Sequence, residues 1–212
     1  MDDHRDCGVL GVKLVGEDGE VQPSCRYFPT PWNTFLVSTG LAWLSPRSRF
    51  VDDLSWDHAA VRECDWVPGC YYLVRREVID SVGLFDPRYF LYYEEVDHCR
   101  AVRNAGWKVV CYPFTEVVHI GGESAQSVSA LSRSGRQISA LQVESELLYF
   151  RKHYGVIGAL GAVCLALLGD VIKATSGVVR HQDAARAAGA LRHARTRVQC
   201  LLATSLATHA TR

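Results

Sequence analysis

The stretch from Glu94 to Tyr112 constrains this chain most. Val96, Cys99 and Val102 recur at three-residue spacing, which draws one apolar helix face over Glu94–Ala105. Glu94, Glu95 and Asp97 fall in the first turn, where the helix dipole favours negative charge. Gly106 is placed to end that helix. Trp107 to Tyr112 then reads as a β-rich run closed by Pro113, and Thr115 to Ile120 as another. A helix turning straight into a strand predicts an α/β fold.

Other segments fit that class. Gly8 to Val15 reads as a buried strand, Glu17-Asp18-Gly19-Glu20 as a turn, and Val21 to Phe28 as the return strand of a hairpin. Phe28-Pro29-Thr30-Pro31-Trp32 reads as a rigid extended link. Thr34 to Asp57 leaves a short helix and a mobile loop both open. Val67 to Val74 predicts a strand interrupted by Pro68-Gly69, and Arg75 to Ser81 a helical turn or two stopped by Gly83. Gln137 to Tyr154 predicts a helix with Glu144 and Glu146 on its wet side. Val156 to Leu168 then carries no polar side chain except Cys164, but falls short of the about 20 apolar residues a spanning helix needs. Lys173 to Arg212 holds seven Lys or Arg against one acid.

Bulk composition removes some function classes. The chain has 212 residues, 48% of them hydrophobic, and a formal net charge of zero, so no basic excess points to nucleic acid. None of the eight cysteines forms a Cys-x-x-Cys pair, which argues against zinc. Apolar surroundings predict reduced thiols, and the polar, acidic start Met1-Asp2-Asp3-His4-Arg5-Asp6 predicts a cytoplasmic protein.

Chemistry concentrates where the carboxylates meet aromatics. Tyr92 and Tyr93 precede Glu94, Glu95 and Asp97. Removing a proton from a hydroxyl needs a positioned carboxylate beside a shaped apolar wall. Taken alone, the same residues also fit a solvated first helical turn.

Ordered blocks choose between these. Asp65-Trp66-Val67-Pro68-Gly69-Cys70 is followed by Gly83-Leu84-Phe85-Asp86, Tyr93-Glu94-Glu95-Val96-Asp97-His98-Cys99-Arg100, Ala105-Gly106-Trp107 and His119-Ile120-Gly121-Gly122. Over roughly residues 8 to 154 this series resembles the second half of family 2 glycosyltransferases, in particular the bacterial rhamnosyltransferase-like branch.

The resemblance implies the C-terminal half of a GT-A type mixed sheet with flanking helices. It makes Glu95 the catalytic base, a Glu where the family usually has Asp, with Asp97 the fallback and Glu94 beside them. It places Asp65, Trp66 and Gly69 along the donor and acceptor cleft, with Tyr93 and Arg100 as further substrate contacts. Arg100 and Arg103 fit ion pairs with acids better than phosphate contacts. His119 would help hold a Mg²⁺ or Mn²⁺ ion or the diphosphate, with Gly121-Gly122 allowing close approach. The implied reaction is inverting transfer of a sugar, rhamnose among the candidates, from a nucleotide-sugar donor to a glycan or lipid-linked acceptor.

The family's nucleotide-binding half, with its Asp-x-Asp motif, has no counterpart here, since neither Asp2-Asp3 nor Asp52-Asp53 follows a suitable strand. The competing expectation is therefore a non-catalytic remnant or acceptor-binding module. Missing strands would also leave sheet edge exposed and the chain prone to association. The expected organisation is a partial transferase domain over 1–154 and a helical extension, apolar then basic, over 155–212. That extension suits the cytoplasmic face of a membrane.

Overall fold

The computed structural model describes residues 1–2, 4–42, 56–120, 135–179 and 184–211. These form an α/β fold of two compact units. The first takes in Met1–Phe28 and the described parts of Arg49–Pro87 and Glu94–Arg133. The second holds Arg88–Tyr93 and the described parts of Pro29–Ser48 and Ser134–Arg212.

The first unit is a mixed sheet. Strand β1 (Cys7–Val15) runs down its middle, because apolar residues on both faces suit a doubly covered strand. It pairs antiparallel with β2 (Val21–Gln22) and β4 (Leu73–Val74), and parallel with β5 (Lys108–Val118). Strand β3 (Arg62–Cys64) pairs antiparallel with the far side of β5. Helices α2 (Arg76–Val82) and α3 (Glu94–Asn104) complete the unit, and α3 packs on β5 and β1. Val9, Val67, Val78, Val96, Cys99, Val102, Val109 and Cys111 form its interior.

Several expectations need correction. The return strand after the Asp-Gly turn is only two residues long, because Pro23 cannot donate to a ladder. The predicted strand over Val67–Val74 shrinks to Leu73–Val74, and the sequence reading missed β3. Conversely, the two runs split at Pro113 are one strand. The parallel register steps from Val12↔Tyr112 to Lys13↔Glu116, so Pro113, Phe114 and Thr115 bulge out of the ladder and the proline breaks no pairing bond. Lys13 Nζ meets Glu116 Oε1 at 2.6 Å just beyond the bulge.

Gly11 matters for the site. A Cβ there would lie 2.7 Å from Val67 Cβ, so only glycine lets the Trp66–Val67 segment lie flat on β1.

The second unit is helical. The stretch read as an extended link opens α1 (Pro31–Thr39), where Thr30 caps the helix in a reciprocal capping box with Asn33 and Pro31 takes the first turn. Asn does here what Glu or Gln usually does, so the signature was missed. Residues 43–55, which hold most of the ambiguous stretch, lie outside the described residues.

Helix α4 (Gly135–Val179) breaks direction at Gly155, whose φ of 68° is left-handed. It packs on α1 and on α5 (Ala184–Ala203). Val143, Leu147, Val163, Cys200 and Ala207 form one cluster of that packing. Glu144 and Glu146 are not on a wet side. Glu144 takes the Thr211 N–H at 2.8 Å and the Thr211 hydroxyl at 2.7 Å, and Glu146 faces Arg197 at 3.5 Å. Both carboxylates are buried because the end of the chain folds back onto them. The apolar run is not confined to thirteen residues either: Ala140–Thr175 is long and apolar enough to cross a membrane.

Candidate active site

The first turn of α3 sits at a strained entry. Tyr92 and Tyr93 both have left-handed backbones, with φ of 67° and 68°. Such conformations cost about 1–3 kcal/mol each in a non-glycine residue and cluster at functional sites.

Glu95 is half-buried, and its Oε2 has no hydrogen-bond partner among the described residues. Burial lifts its carboxyl to about 7, and the neighbouring Glu94 charge adds to that. The Arg26 guanidinium and the N–H groups of Glu95 and Val96 pull it back only in part. Burial raises Glu94 as well, and its Oε2 is also unpartnered. Adjacent carboxylates whose ionisation is disfavoured fit a solvated surface turn poorly, and Glu95, lifted to about 7, can accept a proton near neutral pH.

The residues that lie against Glu95 from the facing loop are small. Gly69 is exposed, and a Cβ on it would stand 4.0 Å from Glu95 Cβ. Cys70 beside it is exposed too, and its thiol feels both Glu95 and Arg26.

Asp65 and Trp66 hold the frame behind this loop. Asp65 Oδ2 accepts the Phe28 N–H at 3.0 Å, and the Trp66 indole N–H donates to Tyr27 C=O at 2.8 Å. The Arg26 guanidinium lies over the Trp66 ring, 4.9 Å from its centroid, while its Nε donates to Pro23 C=O at 3.1 Å. Arg26 is thus held near Glu95 by its neighbours. The sequence reading missed it, since nothing in the local text ties residue 26 to residue 95.

Other expected site residues lie elsewhere. Asp97 is two positions beyond Glu95, about 200° round the helix, and only 3% exposed. It does not share the face of Glu95. Arg100 lies over the Phe28 ring at 5.3 Å. Arg103 pairs with Glu63 at 3.2 Å and Asp65 at 3.6 Å and donates to Cys64 C=O at 2.6 Å, so for Arg103 the ion-pair reading holds. Tyr93 belongs to the second unit, where its ring packs 5.2 Å from that of Tyr149.

His119 stands just past β5, beside β2. Gln22 Nε2 donates to His119 C=O at 3.1 Å, so Gln22 Oε1 must accept from His119 Nδ1–H at 2.8 Å. This fixes the tautomer and leaves the Nε2 lone pair as the ring's acceptor. One such lone pair does not make a metal centre. Among the described residues no group of three or more His, Cys, Asp or Glu could hold an ion. These residues alone do not fit a divalent cation, and Gly121-Gly122 lie outside the described residues.

Comparison with known proteins supplies the chemistry's relatives. No family model matches the chain, and no solved structure matches it. Over 121 residues it is 36% identical to N-acetylglucosaminyl-diphospho-decaprenol L-rhamnosyltransferase from two strains of Mycobacterium tuberculosis. The match covers 53% of this chain and 37% of each relative, so the chain spans little more than a third of their length. Over about half its length, then, the chain is related to a glycosyltransferase.

Proposed function

We propose that this chain carries the base-bearing, acceptor-side part of an inverting glycosyltransferase. The observation that carries the reading is the Glu95 carboxylate, half-buried, unpartnered at Oε2 and lifted to about 7, facing an exposed glycine. The donor is a nucleoside diphosphate sugar, rhamnose by analogy with the relatives' name, and the acceptor a glycan or a lipid-linked sugar. Glu95 takes the proton of the acceptor hydroxyl as its oxygen attacks the anomeric carbon. The new C–O bond forms with inversion as the bond to the diphosphate breaks, and the nucleoside diphosphate leaves with that electron pair. A divalent cation held partly by His119 remains the expected partner of that diphosphate, and no step of the reading depends on it.

The helical unit suits a lipid-linked acceptor. Ile157, Leu160, Cys164, Leu168 and Val171 recur every three or four residues along one exposed face of α4. That aliphatic stripe lies on the cytoplasmic leaflet where the acceptor's lipid is anchored, with Arg192 and Arg195 of α5 exposed to anionic headgroups.

The test supplies the chain with nucleoside diphosphate rhamnose and N-acetylglucosaminyl-diphospho-polyprenol and follows the elongated lipid by chromatography. Transfer that rises with pH through about 7 and is lost in Glu95→Gln supports the reading. Full transfer by Glu95→Gln, with loss in Asp97→Asn, moves the base to Asp97. Calorimetric acceptor binding without any transfer favours a binding module instead.

A further inference from the structure

A buried hydrogen-bond chain runs one helical turn beneath Glu95. His98 is 4% exposed, with Nε2 3.0 Å from Gly83 C=O and Nδ1 2.7 Å from the Tyr72 hydroxyl. A carbonyl only accepts, so Nε2 carries a hydrogen, and in the neutral ring Nδ1 receives the Tyr72 O–H. The Tyr72 oxygen is then left to accept the Cys99 S–H at 3.4 Å. Phe85 packs on both rings, 5.4 Å from each.

This chain ties three elements together: the loop from Gly69 to Tyr72, helix α3, and the Gly83 end of α2. Cys99 is four residues beyond Glu95 and so shares its helix face. The loop that Tyr72 anchors is the same one that sets Gly69 against Glu95. Burial holds the Tyr72 phenol far above its usual range, so it stays a neutral donor at any physiological pH.

We propose that Tyr72 is a positioning residue for Glu95: its hydrogen bond to His98 clamps the Gly69–Tyr72 loop onto α3 and keeps water from the Glu95 carboxylate. The proposal builds on the reading of Glu95 as the base, but its test needs no transfer. The groups facing Glu95 are Glu94 and Cys99 on its own helix, Cys70 and Tyr72 on the loop, and Arg26 beyond β2. Loss of the clamp leaves Glu94 and Arg26 in place and removes the seal.

The experiment titrates the Glu95 side-chain carboxyl by carbon NMR in the glutamate-labelled chain, the signal assigned by its absence in Glu95→Gln. Tyr72→Phe and His98→Leu each lower the midpoint by about one pH unit or more, toward the ordinary carboxylate range. His98→Asn, whose side-chain oxygen replaces Nδ1 as acceptor, keeps the midpoint of the parent. A Tyr72→Phe chain that is folded by its amide spectrum and titrates like the parent overturns the proposal. So does a His98→Asn chain that shifts as far as His98→Leu, which decides the matter even where Tyr72→Phe does not fold.

Discussion

At the scale of the residue, Glu95 links the proposed reaction to instability. Burial lifts its carboxyl to about 7 from the 4.5 of an ordinary glutamate, so between these values the folded chain binds more protons than the unfolded one. Stability is therefore greatest below about 4.5 on this account and falls as pH rises through about 7, by a sum on the order of 3 kcal/mol. Glu95→Gln removes that loss. Urea unfolding should find the variant no more stable than the parent at pH 4 and more stable at pH 8, by up to that amount. Equal stability at both pH values would mean that Glu95 is hydrated in the folded chain. The carboxylate was legible in the sequence because its neighbours in the chain carry the resemblance. Arg26, Tyr72 and His98 were not, because their relation to Glu95 or to one another is made by packing across separate elements.

At the scale of the element, legibility followed locality. Helix α3 and strand β1 were read almost to the residue, since periodicity and the Gly106 stop lie within their own text. Strand β5 was cut at Pro113 because a bulge is visible only against its partner. Helix α1 contains the start of the short helix left open from Thr34 but begins earlier, at Pro31, inside the stretch read as an extended link. Helix α4 makes the clearest prediction at this scale. Its exposed stripe is apolar, so Ile157→Asp with Leu168→Asp should abolish co-flotation with phosphatidylglycerol vesicles and leave helicity by circular dichroism unchanged. Undiminished flotation of this double variant would assign membrane contact to another surface.

At the scale of the whole molecule, the thiols report on the fold. All eight cysteines are free, six of them buried, with only Cys70 and Cys164 exposed. Burial pushes the thiols of Cys99 and Cys111 up to about 12 and about 11, which suppresses the reactive thiolate. An aromatic disulfide reagent at pH 8 should therefore find two fast thiols in the native chain and eight in guanidinium. More than two fast thiols would show that an interior is open to solvent. Each unit has a core of its own, so the slow thiols should divide by unit when reactivity is followed through partial unfolding.

The paired left-handed tyrosines before α3 have a consequence for evolution in the laboratory. Glycine or asparagine would adopt those angles at lower cost, so a screen that rewards only thermal resistance should replace Tyr92 and Tyr93 early. A screen that rewards product should keep them. The two lineages would part at these codons first, and the divergence would mark this turn as a place where natural selection has favoured output over durability.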